Sequence, residues 1–192
     1  MSENDSGSRS NFTLWLILAV CVAPFAGSFI AYHFWKPAGQ VNYGTLLEPA
    51  PLPAAPLALA DGRAFGLADL KGRWVLVTLD AGACDEYCRK KLWVMRQVRL
   101  TQGKDMQRVE RLWLVTDGAP VAPDLAKEYE GTVVARAGAG GLAAAFPADG
   151  RSADHLYLVD PLGNLVLRYP RDADPSRMKK DLTRLLKVSR TG

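Results

Sequence analysis

The chain has 192 residues, of which 48% are hydrophobic and 23% charged, with a net charge of +4 and three cysteines. This composition excludes a disordered chain and a multi-span membrane protein, and fits one ordinary domain with appendages. Basic residues are scattered among acidic ones without a recognition motif, which argues against nucleic acid as a partner.

Residues 1–11 read as a short polar tail. Phe12 to Trp35 is an uncharged run of 24 residues, enough at about 1.5 Å per residue to cross a hydrocarbon core of ~30 Å. Trp15, Tyr32 and Trp35 sit near its ends, where interfacial aromatics belong, and Pro24 predicts a kink. The run exceeds the apolar core of a cleaved signal peptide and no small-x-small site follows it, so an uncleaved single-pass anchor over 12–35 is expected. Arg9 and Lys36 flank the span with little asymmetry and leave its orientation open. Within it, Cys21 reads as an apolar filler and His33 as an interfacial side chain. Residues 36–56 carry Pro37, Pro49, Pro51, Pro53 and Pro56, a composition that predicts a semi-rigid extended tether. The globular domain is expected over 57–190.

That domain opens with a small hairpin, Leu57–Ala60 and Arg63–Phe65 about Asp61-Gly62. Trp74–Leu79 is almost continuously apolar and β-branched, as in a central strand buried on both faces. A helix is expected over Arg89–Gln102. Leu92, Met95 and Val98 should face the core, with Lys91, Arg96 and Arg99 toward water. Arg111–Thr116 reads as a second buried strand, Pro123–Glu130 as a short helix and Thr132–Arg136 as a short strand. The Ala/Gly-rich stretch 137–150 reads as a loop with one helical turn and lacks the phosphate-loop pattern. His155–Asp160 and Leu165–Tyr169 are strands joined by Pro161-Leu162-Gly163-Asn164. The chain ends in an amphipathic helix with Asp174 as N-cap, Pro175 in the first turn and Met178, Leu182, Leu185 and Leu186 on one stripe. This order predicts an α/β sandwich, a mixed sheet covered on both faces.

Cys84 and Cys88 lie between the first central strand and its helix, in Ala83-Cys84-Asp85-Glu86-Tyr87-Cys88-Arg89. On a regular helix, residues four apart have Cβ atoms roughly 5–6 Å apart, whereas a disulfide wants about 3.8 Å. The pair can therefore bond only if Cys84 lies in the loop before the helix. At the wider spacing two thiolates suit a soft metal such as Cu(I) or zinc. A short ring removes only about 2 kcal/mol of chain entropy, so stapling is a poor reason for the spacing. Metal capture or reversible redox chemistry is a better one. The helix N-terminus and Arg89, Lys90 and Lys91 would favour thiolates.

Three stretches resemble the membrane-anchored Sco (SenC) family of copper-handling proteins that help assemble cytochrome c oxidase. They are DGRAFGLADLKGRWVLVTL, the C-x3-C of CDEYC, and DHLYLVDPLGNLV; LVTDG and VNYGTLLEP are also similar. The resemblance covers roughly residues 50–190 and implies a thioredoxin-like fold, with a mixed central sheet and helices on both faces behind the transmembrane helix. It implies Cu(I) held by Cys84, Cys88 and His155, or thiol–disulfide exchange through the cysteines, in the assembly of an oxidase copper site. It further implies a bacterial inner-membrane protein whose soluble domain faces the periplasm. Its partners would be the copper-site subunit of a terminal oxidase or other assembly factors. Whether such a protein is an enzyme stays open; the alternatives are a general periplasmic thiol–disulfide oxidoreductase and a non-catalytic assembly scaffold. Three departures from the pattern stand out. Arg89 replaces the family's proline after the second cysteine. His155 lies three residues closer to the Pro-x-Gly turn than the family's histidine, an odd shift that would turn it to the other strand face. Asp154 falls where thioredoxin-type proteins carry a cis-proline.

Overall fold

The computed structural model describes residues 6–34, 42–59, 62–137 and 141–189. The chain divides into two units after Val41. In the first, helix α1 spans Ser6–Phe34 and contains Pro24. Its Asn11–His33 stretch is long and apolar enough to cross a membrane, in keeping with the expected span; Trp35 lies outside the described residues.

The second unit holds strands β1 (Thr45–Pro51), β2 (Leu57–Leu59), β3 (Ala64–Phe65), β4 (Trp74–Asp80), β5 (Val109–Val115), β6 (Val133–Ala137), β7 (Leu156–Val159) and β8 (Asn164–Arg168). With them are helices α2 (Glu86–Leu100), α3 (Pro123–Glu128) and α4 (Pro175–Val188). The strands form one mixed sheet in the order β1-β8-β7-β4-β5-β6-β2-β3. Strand β4 runs parallel to β5 and antiparallel to β7, and β5 runs parallel to β6. All seven residues of β4 are buried, as its unbroken apolar sequence requires of a central strand. Val75, Val77 and Leu79 pack with Leu112, Leu114, Tyr157 and Val159 on one face. Trp74 and Leu76 pack on the other against Val94, Met95 and Val98 of α2 and Met178, Leu182 and Leu186 of α4. Helix α3 adds Leu125 to this second face, beside Leu92 and Trp113. The first face is covered by 3-10 turns at Leu67–Leu70 and Leu142–Ala145. The expected cover on both faces is thus present, with α-helices on one and 3-10 turns on the other.

Two local expectations need correction. Helix α2 begins at Glu86, not Arg89, because the Asp85 side chain caps it by accepting the Cys88 N–H. This satisfies one of the helix's first, otherwise partnerless donors. Residues 45–51, read as part of a tether over 36–56, form β1 and pair antiparallel with β8. The folded unit therefore begins at Asn42, well before Leu57. Pro49 and Pro51 are tolerated there because β1 is an edge strand, which can lack donors on its outer side.

A buried carboxylate holds the start of this unit. Asp181 of α4 is 1% exposed and accepts the backbone N–H of Tyr43 at 2.8 Å and that of Gly44 at 2.9 Å. Hydrogen bonds to a charged group contribute roughly 1.5–3 kcal/mol each. We expect Asp181→Ala to lower stability by about 2–4 kcal/mol, read by chemical denaturation. Amide exchange should rise first at residues 43–46, ahead of the central sheet.

Candidate functional site

Strand β4 ends at Asp80, and the chain turns through Ala81, Gly82 and Ala83 into α2. Cys84 stands before the cap, with φ of 43°; its N–H bonds back to the Ala81 carbonyl at 3.1 Å. Cys88 occupies the third position of α2. With the first cysteine outside the helix, the two Cα atoms are 5.2 Å apart and the sulfurs form a disulfide. The loop placement required by the spacing argument is what the structure shows.

The turn is held from the neighbouring loop. Asp117 Oδ1 accepts the Gly82 N–H at 2.8 Å and the Ala119 N–H at 3.2 Å. A Cβ on residue 82 would stand 2.2 Å from the Ala119 carbonyl oxygen, so only glycine fits this close approach.

A cleft of about 210 Å³ opens over the disulfide, lined by Asp80, Ala83, Cys84, Tyr87, Cys88 and Arg151 among others. Behind the lining residue Asp80, Lys91 Nζ pairs with its Oδ2 at 2.7 Å and Oδ1 at 2.9 Å. Thr78 Oγ1 donates to Asp80 Oδ2 at 2.7 Å, and Lys91 also donates to the Ala153 carbonyl. The sequence reading placed Lys91 in water. It is buried instead, because it lies on the same helical stripe as Cys88, Leu92 and Met95, and Asp80 and Ala153 supply its partners. Burial is the largest influence on both groups. It raises the Asp80 carboxyl above the ordinary carboxylate value, against the opposing pull of Lys91 and Thr78. It lowers the Lys91 ammonium below its ordinary value, against the pull of Asp80.

Tyr87, between the cysteines, ties the site to two further loops. Its hydroxyl donates to the Asp154 carbonyl at 3.1 Å and accepts the Asp172 N–H at 3.2 Å. Sequence reasoning missed Asp80 and Tyr87 as site residues, and named Lys91 only as a charge favouring thiolates. The one available signal was an acidic residue ending a buried strand four positions before Cys84.

His155 is buried but does not line the cleft. Its Nδ1 lies 2.9 Å from the Tyr169 carbonyl and its ring stands edge-on to Tyr157, a residue of the face opposite α2. Its Nε2 is buried and has no hydrogen-bond partner among the described residues. Among the described residues, no group of three or more His, Cys, Asp and Glu is arranged to hold a metal.

The fold and site together define a thioredoxin-like protein with a C-x3-C disulfide at the strand-to-helix corner. A family model described as "Transmembrane-like, thioredoxin-like, C-terminal domain" matches residues 74–189, and the chain belongs to that family. No curated protein is significantly similar in sequence. Among solved structures, copper-bound yeast Sco1 aligns with a TM-score of 0.62 at 18% identity, over 74% of this chain and 96% of that one. Copper-bound Bradyrhizobium japonicum ScoI aligns with a TM-score of 0.55 at 22% identity, over 70% and 99%. The thioredoxin domain of a Bacteroides vulgatus thiol-disulfide oxidoreductase aligns with a TM-score of 0.50 at 20% identity, over 74% and 97%. At these identities the likeness shows the fold, which is the thioredoxin-like fold expected from the sequence.

The Gly82 contact leads to a direct prediction. Gly82→Ala must push the 81–83 turn off the 117–119 loop and move Cys84 with it. We expect a loss of about 1–3 kcal/mol in stability and a disulfide that is easier to reduce, measured by equilibration with glutathione buffers.

Proposed function

We propose that this chain is a membrane-tethered thiol–disulfide exchange protein of the Sco type. On this reading α1 anchors it in a bacterial inner membrane and the domain works in the periplasm on the copper site of a terminal oxidase. The observation that carries the reading is the Cys84–Cys88 disulfide in a cleft also lined by Asp80, which is buried and paired with Lys91. An oxidising compartment is the one in which such a pair is useful.

The chemistry is two-electron exchange. A reducing dithiol first converts the Cys84–Cys88 disulfide to two thiols and is itself oxidised. One cysteine, as thiolate, then attacks a partner disulfide and forms a mixed disulfide, and the partner's second sulfur leaves as thiolate. The other cysteine attacks the mixed bond, restoring Cys84–Cys88 and releasing the partner as a dithiol. In the oxidised form Cys84 and Cys88 are 3% and 1% exposed, so exposure does not separate them. The case for Cys84 is its place in the loop, where it can move without unwinding α2. Asp80 lines the same cleft and, with its affinity for a proton raised by burial, is placed to take the proton of the attacking thiol.

Two measurements test this. Cys88→Ser should trap a mixed disulfide on Cys84 with a disulfide-bonded oxidase peptide, while Cys84→Ser should trap none; the reverse pattern reassigns the attacker. For Asp80, exchange by the reduced protein should quicken as pH rises through the shifted carboxyl pKa, because ionised Asp80 is the base. Asp80→Asn should lose that step and keep the one due to the thiol itself.

A second reading, Cu(I) carriage, is favoured by the orphaned Nε2 of His155, two residues beyond Ala153 at the cleft wall. Reduced Cys84 and Cys88 offer two soft donors suited to Cu(I). The cleft as built supplies no imidazole, so the donor set there is incomplete. An anaerobic Cu(I) titration of the reduced chain against a competing chelator decides the point. Copper carriage requires tight one-to-one binding that Cys84→Ser abolishes, with His155→Ala weakening it if the ring swings in. Failure to take copper from the chelator leaves thiol exchange as the function.

A further inference from the structure

Helices α2 and α4 lie side by side on one face of the sheet. Together they carry ten basic and two acidic residues, whereas the whole chain has an excess of only four positive charges. The remainder is therefore net acidic, and the positive charge is concentrated on these two helices. One of the two acids, Asp181, is buried and engaged by Tyr43 and Gly44. The other, Glu86, stands at the cysteine end of α2. Lys90 and Arg89 have acidic neighbours, Asp172 and Glu128. Lys91 is buried against Asp80, so the outward positive charge rests mainly on Arg96 of α2 and on Lys179, Lys180 and Lys187 of α4. The same surface exposes two large apolar side chains one heptad apart on α2, Trp93 at 50% and Leu100 at 48%. Basic residues around an exposed tryptophan and leucine match the chemistry of an anionic membrane interface.

Connectivity favours the same occupant. Tyr43 and Gly44 are clamped to α4, and eight residues separate Tyr43 from Phe34 at the end of α1. Eight residues reach at most about 30 Å. We propose that the outer surface of α2 and α4 docks on anionic lipid headgroups of the membrane that holds α1. This inference rests on reading α1 as a membrane anchor. Each basic residue near an anionic surface contributes about 1 kcal/mol, so a handful suffices once the tether has made the encounter intramolecular.

The test uses the full chain with Cys21→Ser and the native disulfide intact. A nitroxide is placed at Leu100→Cys or, as a control on the opposite sheet face, at Ala68→Cys. Each protein is assembled into phosphatidylcholine nanodiscs with or without phosphatidylglycerol. With the anionic lipid, the Leu100 label should gain severalfold in accessibility to oxygen relative to a water-soluble nickel chelate. The gain should vanish in high salt and in the Lys179→Glu/Lys180→Glu/Lys187→Glu variant, while the Ala68 label stays unchanged. A chain that stays out of the discs overturns the anchor reading and this inference with it. A chain that incorporates but whose Leu100 label ignores lipid charge overturns the docking alone, and leaves the basic face to an acidic protein.

Discussion

The site depends on where α2 starts. The Asp85 carboxylate accepts the Cys88 N–H at 2.8 Å and fixes the first helical residue at Glu86. Had the helix begun two residues earlier, with Cys84 inside it, the two Cβ atoms would stand roughly 5–6 Å apart, too far for a disulfide. With the cap at Asp85, Cys84 can adopt the left-handed backbone that brings its side chain back over the first turn. That conformation is uncommon for a residue with a Cβ and costs of order 1 kcal/mol or more. The contacts that hold it come from the other side of the turn, where Gly82 lies against the Ala119 carbonyl and Asp117 accepts its N–H. The left-handed Cys84 is thus held between a helix cap on one side and a glycine contact on the other.

The Asp80–Lys91 pair makes a similar point in electrostatics. Taking two charges out of water costs several kcal/mol per ion, and a well-packed apolar pair is often at least as stable. Its location speaks for chemistry: Asp80 lines the cleft with both sulfurs, and Lys91 sits one helical turn beyond Cys88. Burial moves both groups toward their neutral forms, the direction that eases proton movement between them. The pair also has a structural task. Through the Ala153 carbonyl Lys91 fastens the 152–154 turn, and Tyr87 fastens the same turn through Asp154. The loop leading to His155 is therefore held by two residues of the cysteine helix.

The central sheet was legible because its strands are buried on both faces and read as unbroken apolar runs, and α4 because its cap, proline and stripe agree. The expected α2 residues Leu92, Met95 and Val98 are buried as their spacing demands. Lys91 was misread because its charge was allowed to outweigh its position. It falls on the buried stripe, and the partner that makes this tolerable, Asp80, lies eleven residues away in sequence on the preceding strand. Strand β1 was misread because prolines signal a tether wherever the pairing partner is unseen, and β8 follows more than a hundred residues later. The cysteines were legible because their spacing is local. The surroundings of the disulfide were not, since they come from β4, the 117–119 loop and the 151–154 turn.

His155 shows how a strand's period of two governs a site. Its ring stands beside Tyr157, two residues on, whose side chain packs on the face away from α2. This is the side that an odd shift relative to the Sco pattern leads one to expect. The Nδ1 contact with the Tyr169 carbonyl holds the ring there, and a single such hydrogen bond contributes about 1 kcal/mol net. Against that stands Nε2, buried with no partner, a state that costs about 1–3 kcal/mol. Releasing the ring toward a ligand in the cleft would exchange one satisfied nitrogen for another, so the energetic obstacle is small. The larger obstacle is the turn at 152–154, which Lys91 and Tyr87 pin to α2. Access of the imidazole to the sulfurs is thus set less by the histidine than by those two side chains, one of which is itself held by Asp80.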